Sequence, residues 1–357
     1  MVDVTRDPVT HRKVVVSRLG GPEVLTVVEE PAPVPGPGEA RVRVLAAGVS
    51  AFDLIYRRWG NIPGAPPRPF ALGEDIVGIV ESVGEGAEGV RVGDMVAGGT
   101  WVLGVGGGYA ELVCLPTREL VSVPDGVDPA EAVCLVVNYL TAHQHLHHIG
   151  DARAGESMLV HGAAGGVGSA VLQLGRLAGL TMYGTASAEH HALVSSLGAT
   201  PIDYRGEDFV RRIRELTREG VDLVVDPIGG ARQLIRSYRC LRRGGRLIWL
   251  GSSAVQERGI VVGLTSELAS ALLRALPDGR RVPKCPTMGE HAMANPSWYR
   301  ATLGELFEQL AARRIEPVIA ARVPFEQAAD AHAELERGGH LGKFVLVTGE
   351  YSRRPGA

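Results

Sequence analysis

The sequence is short of several residue types, and each shortage narrows the classes of protein to consider. Lys13, Lys284 and Lys343 are the only lysines among 37 basic residues, which we interpret as a compositional bias towards arginine. The formal net charge of −3 gives no electrostatic reason to expect a nucleic-acid partner. No apolar run approaches the roughly 18 residues that a membrane-spanning helix needs, so no membrane partner is expected.

Cysteine and aromatic residues are also scarce. Cys114, Cys134, Cys240 and Cys285 are scattered and form no C-x-x-C pair, which favours reduced thiols and a cytoplasmic location. Residues 1–13 carry charges that no apolar segment follows, so no signal peptide is expected. Aromatic residues make up 5% of a chain with 47 glycines, which is typical of an α/β protein with many tight turns.

The pattern of predicted strands and helices divides the chain in two. Residues 13–125 are predicted to form short strands between Pro- and Gly-rich turns, with one helix at 52–58. From Asp128 onwards buried strands alternate with helices, which predicts a Rossmann-type α/β fold with a doubly wound parallel sheet. The last strand, 342–347, is expected to return to the first domain. We therefore assign residues 1–127 and 296–357 to a mainly-β domain, and residues 128–295 to the Rossmann domain.

The strongest motif is the turn Gly162-Ala163-Ala164-Gly165-Gly166-Val167-Gly168, which lies between a predicted strand and a predicted helix. A dinucleotide's pyrophosphate must approach the backbone at a helix N-terminus, where free N–H groups and the helix dipole favour anions. Gly165 and Gly166 lack a Cβ and leave open space for that approach, whereas Gly168 lets the helix pack closely on the strand. An ordinary glycine-rich turn is the alternative, and the further strand–helix units that follow argue against it.

The end of the second strand of this fold bears on the choice of cofactor. NAD sites usually hold the ribose 2′-hydroxyl with a carboxylate at this position. Here the strand ends in Tyr183-Gly184-Thr185-Ala186-Ser187. Ser187, with Tyr204 and Arg205 nearby, suits a 2′-phosphate, whereas Glu189 would suit NADH. NADPH is favoured, and NADH stays open.

Three motifs together indicate a family: the glycine turn, Gly107-Gly108-Tyr109-Ala110-Glu111, and the closing Gly339-His340-Leu341-Gly342-Lys343. With them the chain resembles the medium-chain dehydrogenase/reductase superfamily, in its zinc-free quinone oxidoreductase and enoyl reductase branch. The resemblance covers residues 13–347. It implies a GroES-like first domain packed on the Rossmann domain, with NADPH and substrate between them.

The resemblance also implies which residues contact NADPH. It places the pyrophosphate at the glycine turn, the adenosine 2′-phosphate beside Ser187 and Tyr204, and the nicotinamide half near Thr141. We expect a homodimer that acts on a small-molecule substrate. The implied cofactor-binding residues are Thr141, Ala164, Gly165, Gly166, Val167, Ser187, Tyr204, Gly230, Gly251 and Ser252.

The sequence lacks the zinc ligands of related alcohol dehydrogenases. Those enzymes carry a Cys where Ala51 stands and Gly-His-Glu where this chain has Gly73-Glu74-Asp75, and they have a four-cysteine lobe that is missing here. Zinc needs thiolate or imidazole ligands at fixed geometry, so no metal is expected. Without a Lewis acid to polarise an alcohol oxygen, we predict hydride transfer to an acceptor that is already electrophilic: an enone, an enoyl thioester or a quinone.

The sequence does not identify a proton donor. Related reductases often place a Tyr eight residues after the aspartate that matches Asp53, and this chain has Asn61 there. An amide can donate a hydrogen bond but cannot protonate an enolate. Ser50, Tyr56 and Asn61 are therefore candidate residues of the substrate cleft, and the catalytic residues stay unassigned.

A run of histidines is the other candidate for metal chemistry. His143 and His147 would share one helix face at a spacing that suits metal ligands. The segment offers no third ligand, so a packed or solvated face is favoured over a metal site.

Three functions are compatible with these features. The first is an NADPH-dependent reductase of a conjugated carbonyl or a quinone. The second is an NADPH-binding regulatory or interaction protein that has lost catalysis, which Asn61 in place of Tyr motivates. The third is a biosynthetic reductase with a dedicated carrier-bound or polycyclic substrate.

Overall fold

The computed structural model describes residues 9–60, 67–104, 106–250 and 259–352. Its strands form a three-stranded, a five-stranded and a seven-stranded sheet. The strands are β1 (Thr10–Val16), β2 (Leu25–Pro31), β3 (Glu39–Gly48), β4 (Phe70–Ala71), β5 (Asp75–Val83), β6 (Met95–Gly99), β7 (Leu112–Pro116), β8 (Leu120–Ser122), β9 (Ser157–Val160), β10 (Thr181–Ala186), β11 (Ala199–Asp203), β12 (Val221–Asp226), β13 (Leu241–Trp249), β14 (Ile319–Pro324) and β15 (Lys343–Val347).

Helices cover both sides of the parallel sheet and connect it to the first domain. The α-helices are α1 (Ala51–Trp59), α2 (Pro129–Cys134), α3 (Leu140–His143), α4 (Gly166–Leu177), α5 (His191–Ser196), α6 (Phe209–Thr217), α7 (Ala231–Arg239), α8 (Ile260–Arg274), α9 (Met288–Ala294), α10 (Pro296–Ala311), α11 (Ala328–Arg337) and α12 (Gly349–Ser352). None of the helices in the described parts of the chain combines the length and the apolar character that crossing a membrane requires.

The first domain is built mainly from antiparallel strands. One sheet has the order β2-β1-β4, and the larger has the order β14-β15-β3-β5-β6-β8, with β7 also paired with β3. The predicted final strand, β15, pairs antiparallel with β3, with Val345 opposite Gly48. β14 then adds in parallel to β15. The last two strands, β14 and β15, therefore extend the larger sheet beyond β3.

The second sheet is wholly parallel and has the order β11-β10-β9-β12-β13. The chain moves outwards from β9 on one side and then crosses to β12 on the other. The loop after β9 therefore lies at the switch point where doubly wound sheets bind ligands. The predicted fold, a Rossmann domain with a GroES-like mainly-β domain, is confirmed.

A long helical segment connects the two domains. Asp128 caps it, with Oδ1 accepting from Ala130 N at 2.6 Å and from Glu131 N at 3.1 Å. Two π-helical turns, Leu135–Tyr139 and Gln144–Ile149, interrupt the regular α-helical geometry around α3. The segment packs against β5 and β6 on one side and against α4 on the other. It therefore lies between the sheet of the first domain and the start of α4.

One hydrophobic core extends across both domains. It includes Val77 and Ala97 of the seven-stranded sheet together with Val160 and Val225 of the parallel sheet. The domains thus share buried surface, which holds the loop after β9 against the first domain.

Candidate functional site

The glycine turn presents free backbone donors to open space. Gly165 is the N-cap residue of α4, and no side chain caps this end of the helix. A Cβ built on Gly165 would meet only Gly162 O, at 3.4 Å. Within the described residues, the N–H groups of Val167 and Gly168 have no hydrogen-bond acceptor, whereas the bridge between Gly165 and Gly342 engages the N–H of Gly166. Such donors at a helix N-terminus favour anions, so the turn fits a pyrophosphate.

Two other glycines of the turn, Gly166 and Gly168, are needed for contacts within the protein. A Cβ on Gly168 would overlap Gly162 O, so α4 packs directly over the end of β9, as predicted. A Cβ on Gly166 would overlap Nδ2 of Asn138, which lies in the first π-helical turn. The expectation that Gly166 borders open space, like Gly165, is therefore wrong. The reason is that the interdomain helical segment places Asn138 there.

The closing motif of the chain is bound to the glycine turn. Gly342 N donates to Ala164 O at 2.9 Å, and Gly342 forms a parallel bridge with Gly165. Gly342 has φ +72°, and a Cβ there would overlap Val318 O, so only glycine fits this position. Val167 is partly buried against the shared core. The loop before β15 and the loop after β9 are thus one packed unit.

The predicted adenosine residues meet at the ends of β10 and β11. Ser187 Oγ donates to Glu189 Oε1 at 2.8 Å and lies 3.2 Å from His190 Nδ1. Arg205 Nη1 lies 3.7 Å from the same Glu189 oxygen. The Arg205 guanidinium also lies over the half-exposed Tyr204 ring, 5.6 Å from its centroid. The site therefore offers both a carboxylate and a guanidinium to a nucleotide ribose.

The remaining predicted cofactor residues are held by their own neighbours. Thr141 lies buried in α3, and its carbonyl oxygen accepts from His145 Nδ1 at 2.5 Å. Gly230, which precedes α7, has φ +89°, and its N–H donates to Ser266 Oγ of α8 at 2.9 Å. Three predicted site residues lie outside the described residues: Asn61, Gly251 and Ser252.

A polar group joins the predicted cleft residue Ser50 to Asp53, Glu74 and Tyr109, which the sequence did not indicate as site residues. Ser50 caps α1: its Oγ accepts from Asp53 N at 3.2 Å, and Asp53 Oδ2 accepts from Ser50 N at 2.7 Å. Ser50 Oγ also donates to Glu74 Oε2 at 2.8 Å. Asp53 accepts two further bonds, from Gly73 N at 2.8 Å and from Tyr109 Oη at 3.2 Å. The serine and the aspartate three residues later form a capping pattern that could have indicated this turn.

The carboxyls of this group differ in acidity. The pKa of Glu74 is raised to about 8, mainly by burial. The charge of Asp53 also raises this pKa, and its effect is larger than that of the Ser50 hydrogen bond, which lowers it. Burial also raises the pKa of Asp53, but only to about 6, because backbone hydrogen bonds from Gly73 and Ser50 favour its charged form. The predicted cleft residue Tyr56 has a raised pKa through burial and the charge of Glu74. Neighbouring carboxyls with different pKa values can take different roles in proton transfer.

A buried ion pair joins this group to the closing motif. Lys343 Nζ lies 2.8 Å from Asp75 Oδ2, and the two side chains are 2% and 0% exposed. Burial lowers the pKa of Lys343, but the charge and hydrogen bond of Asp75, together with the nearby Cys134 and Asp53, outweigh this and raise the pKa overall. Gly48 makes room for the pair, since a Cβ there would overlap Lys343 Cε and Asp75 Oδ1. The pair links Asp75, the residue after Glu74, to the closing motif that is bound to the glycine turn.

The positions that match zinc ligands hold other groups. Ala51 begins α1, and Glu74 is bound to Ser50. Across the described ranges, no group of three or more His, Cys, Asp or Glu residues has the geometry to hold a metal ion. His143 packs on His147 and on Trp298, at ring-centroid distances of 4.7 Å and 6.0 Å, which confirms the packed helix face. The expected lack of zinc stays a prediction.

Comparison with known proteins agrees with this architecture. Residues 36–125 match the alcohol dehydrogenase GroES-like domain family. Residues 197–346 match the zinc-binding dehydrogenase family. The chain is 34% identical to a quinone oxidoreductase of Pseudomonas aeruginosa, over 92% of this chain and 97% of the relative. It is 33% identical to the synaptic vesicle membrane protein VAT-1 homolog of Rattus norvegicus, over 95% of this chain and 84% of the relative.

A solved mycobacterial structure complexed with NADPH has the same fold. Its TM-score is 0.79 at 29% identity, over 94% of this chain and 99% of that chain. Fold, glycine turn and relatives together define a two-domain oxidoreductase that uses a nicotinamide cofactor. The chain belongs to the medium-chain dehydrogenase/reductase superfamily, in its zinc-independent quinone oxidoreductase-like branch.

Proposed function

We propose that the protein transfers a hydride from NADPH to an activated carbon–carbon double bond or to a quinone. The observation that carries this proposal is the open glycine turn, where Gly165 borders free space and the N–H groups of Val167 and Gly168 lack acceptors among the described residues. The polar group around Glu74 is tied to the same turn through the Lys343–Asp75 pair. Cofactor and acceptor can therefore meet in one region between the domains.

The residues of the turn and of the two strand ends fit a dinucleotide in an extended conformation. The turn would hold the pyrophosphate, and Ser187 and Tyr204 would flank the adenosine phosphate. The cofactor, when bound, supplies the hydride, and the chain orients the acceptor and excludes water. The proposed contacts are Thr141, Ala164, Gly165, Gly166, Val167, Ser187, Tyr204, Gly230, Gly251 and Ser252.

The proposed preference for NADPH over NADH depends on Arg205. Its guanidinium lies close to the Glu189 carboxylate and over the Tyr204 ring. A 2′-phosphate carries more negative charge than a carboxylate and accepts bidentate hydrogen bonds from arginine, so it can displace Glu189 from this contact.

The proposed acceptor is one that needs no Lewis acid. Ala51 and Glu74 offer neither thiolate nor imidazole at the positions that bind catalytic zinc in related alcohol dehydrogenases. Enones, enoyl thioesters and quinones accept a hydride without such activation, and the relatives named quinone oxidoreductase support the last of these.

The test is NADPH oxidation with a panel of quinones, enones and enoyl thioesters, with NADPH binding measured in parallel. We expect turnover with at least one class. Tight NADPH binding without any turnover would instead support a regulatory or interaction protein that has lost catalysis. Turnover confined to a carrier-bound or polycyclic acceptor would indicate a biosynthetic enzyme. Absence of NADPH binding would overturn the proposal.

The proposed homodimer is supported by an apolar face of α8. Val261, Leu264, Leu268 and Leu272 are 71%, 66%, 62% and 62% exposed along this helix. A contiguous apolar surface of this kind usually marks an interface. Analytical ultracentrifugation of the wild type and of Leu268→Glu tests it: we expect a dimer that the charge dissociates, and a wild-type monomer would contradict the proposal.

Two broader expectations are also kept as proposals. The division into residues 1–127 with 296–357, and residues 128–295, is supported by the pairing of β14 and β15 into the sheet of β3. The cytoplasmic location is supported by the state of the cysteines, all four of which are free thiols.

A further inference from the structure

Glu74 is a partly exposed carboxyl that the surrounding protein holds in one orientation. Its Oε2 accepts a hydrogen bond from Ser50 Oγ at 2.8 Å, whereas Oε1 has no partner among the residues that the structure describes. Ser50 Oγ accepts from Asp53 N and donates its single proton to Glu74. One oxygen of Glu74 is therefore anchored, and the other is left for a different partner.

The polar group around Ser50 contains three carboxyls, those of Asp53, Glu74 and Asp75. The hydrogen-bond donors that each one receives indicate which of them is ionised. Asp53 accepts from two backbone N–H groups and from the Tyr109 hydroxyl. Asp75 is paired with Lys343. Glu74 receives a single hydroxyl hydrogen bond. Backbone N–H donors stabilise the charged form of Asp53, and the Lys343 cation stabilises that of Asp75. Their negative charges disfavour ionisation of Glu74, so Glu74 is the carboxyl of the three that keeps its proton.

The charges around Glu74 act mostly in the same direction. Repulsion from Asp53 and Asp75 adds to burial in raising its pKa to about 8, against the opposing effects of Ser50 and Lys343. The two nearby tyrosines have raised pKa values and stay neutral. Glu74 is therefore protonated at neutral pH. The titratable groups that face it are Asp53, Tyr56, Asp75, Tyr109 and Lys343.

A short series of contacts leads from this carboxyl to the proposed cofactor site. Asp75 follows Glu74 in the chain and pairs with Lys343. Gly342, which precedes Lys343, donates its N–H to Ala164 O in the glycine turn. Two contacts thus separate the carboxyl from the residues proposed to hold the pyrophosphate.

We infer that Glu74 is the acid that protonates the acceptor oxygen when a hydride has been added to the acceptor. The inference rests on the proposed function, because it needs an acceptor that becomes an enolate or a phenolate. The O–H bond of the Glu74 carboxyl breaks, an O–H bond forms on the acceptor oxygen, and the carboxylate then takes a proton from water. The acceptor gains one hydride, from NADPH, and one proton, so no other reductant is needed.

The first test observes the carboxyl itself, without added cofactor. Infrared difference spectra, or 13C NMR of glutamate-labelled protein, compare the wild type with Glu74→Gln from about pH 5 to about pH 10. We expect a protonated carboxyl that titrates near pH 8 and is absent from the variant. A Glu74 that is already ionised at about pH 6 would overturn the inference.

The second test measures kcat and KM against pH. Gln keeps the side-chain length and an acceptor for Ser50 Oγ but has no acidic proton, so kcat should fall by about 10²–10⁴-fold. The wild-type decline of kcat above pH 8 should disappear in Glu74→Gln, while the Kd for NADPH stays within about twofold. Glu74→Asp keeps an acid farther from the acceptor and should retain part of the activity. Glu88→Gln, an exposed carboxylate of the same domain, is the matched control.

The outcomes separate this inference from the proposed function. A Glu74→Gln enzyme with unchanged kcat and an unchanged pH profile overturns the role of Glu74 and leaves the proposed reductase intact. Loss of NADPH binding in Glu74→Gln would show a structural role and overturn the inference as well. A wild type that reduces none of the acceptors overturns both.

Discussion

Asn138 Nδ2 occupies the space that a side chain on Gly166 would need. Asn138 lies in a π-helical turn, a form of helix that re-aims side chains and is frequent at functional sites. The adjacent Gly165 has open space instead, apart from Gly162 O at 3.4 Å. Two neighbouring glycines of one turn thus serve different purposes: one keeps room for a ligand, and the other admits a side chain of the interdomain segment.

Replacing Gly165 by Val should abolish NADPH binding at little cost in stability. Its φ of −76° and ψ of 174° suit any L-residue, so the loss should be about 1 kcal/mol, as for an unfavourable N-cap. The new methyl groups would fill the space above the free N–H groups. NADPH titration and urea unfolding test both effects. A folded variant that binds NADPH as the wild type does would show that the pyrophosphate lies elsewhere.

Gly166→Ala is the informative counterpart, because its Cβ overlaps Asn138 Nδ2. Overpacking of this kind costs about 1–3 kcal/mol in unfolding free energy. Adding Asn138→Ala should recover most of that loss if the overlap is its cause. A double variant no more stable than Gly166→Ala would rule out the Asn138 contact as the reason.

Lys343→Met should be among the most destabilising changes in the chain. It leaves Asp75 buried with its charge unpaired, and loss of one partner of a buried pair costs about 3–5 kcal/mol. Asp75→Asn in the same chain removes that charge and should restore part of the stability. Urea unfolding of the two single variants and the double variant measures the coupling. Purely additive losses would mean that the two residues do not act as a pair.

Arg205→Ala should lower the preference for NADPH over NADH, which we expect to be at least about tenfold, or about 1.4 kcal/mol, in the wild type. The guanidinium already contacts Tyr204 and Glu189, and Ser187 is bonded to the same Glu189 oxygen. Glu189→Gln removes its competitor and should tighten NADPH binding. Fluorescence titration with both cofactors measures these changes, and equal or tighter binding of NADH by the wild type would contradict the assignment.

Stability should decrease as the pH falls below about 6.5, because several histidines are buried in neutral form. Burial lowers the pKa of His143 and His145 to about 4, and that of His332 to about 3. At pH values between the pKa of an unfolded-chain histidine and these folded-state pKa values, the unfolded chain binds more protons than the folded protein. As the pH falls through this range, each group lowers the unfolding free energy by up to about 1.4 kcal/mol per pH unit. The effect is absent above about pH 6.5.

Urea unfolding at a series of pH values measures this slope. His143→Gln removes one group whose ring packs on Trp298, and it should reduce the slope below about pH 6. The raised pKa values of Glu74 and Asp53 act in the opposite direction, so the comparison with the variant decides. An unchanged slope in His143→Gln would mean that His143 is not held neutral by burial.

The purified protein should contain no stoichiometric zinc and should keep its activity in a chelator. The positions that would bind the metal hold Ala51, which has no donor atom, and Glu74, which is engaged by Ser50. Elemental analysis checks this, and about one tightly held zinc per chain would contradict it.

The sequence was sufficient for the fold class, the superfamily and the dinucleotide turn. Strand and helix periods and the glycines between β9 and α4 are local patterns, and each can be interpreted within a window of some twenty residues. α8 escaped the sequence reasoning because its leucine-rich face is exposed, so its apolar residues do not mark a core. β14 was missed because it lies at the edge of a sheet, where its residues are only partly buried and form no clear apolar pattern.

The tertiary structure decided which groups the turn and the cleft bring together. Asn138 fills the space at Gly166, Lys343 reaches Asp75 across 268 residues, and Ser50 holds Glu74 across 24. In the sequence Glu74 was only a missing zinc ligand, and folding surrounds it with groups that raise its pKa to about 8. The physical reason is that desolvation and charge pairing depend on distances between residues far apart in the chain, which no local pattern encodes.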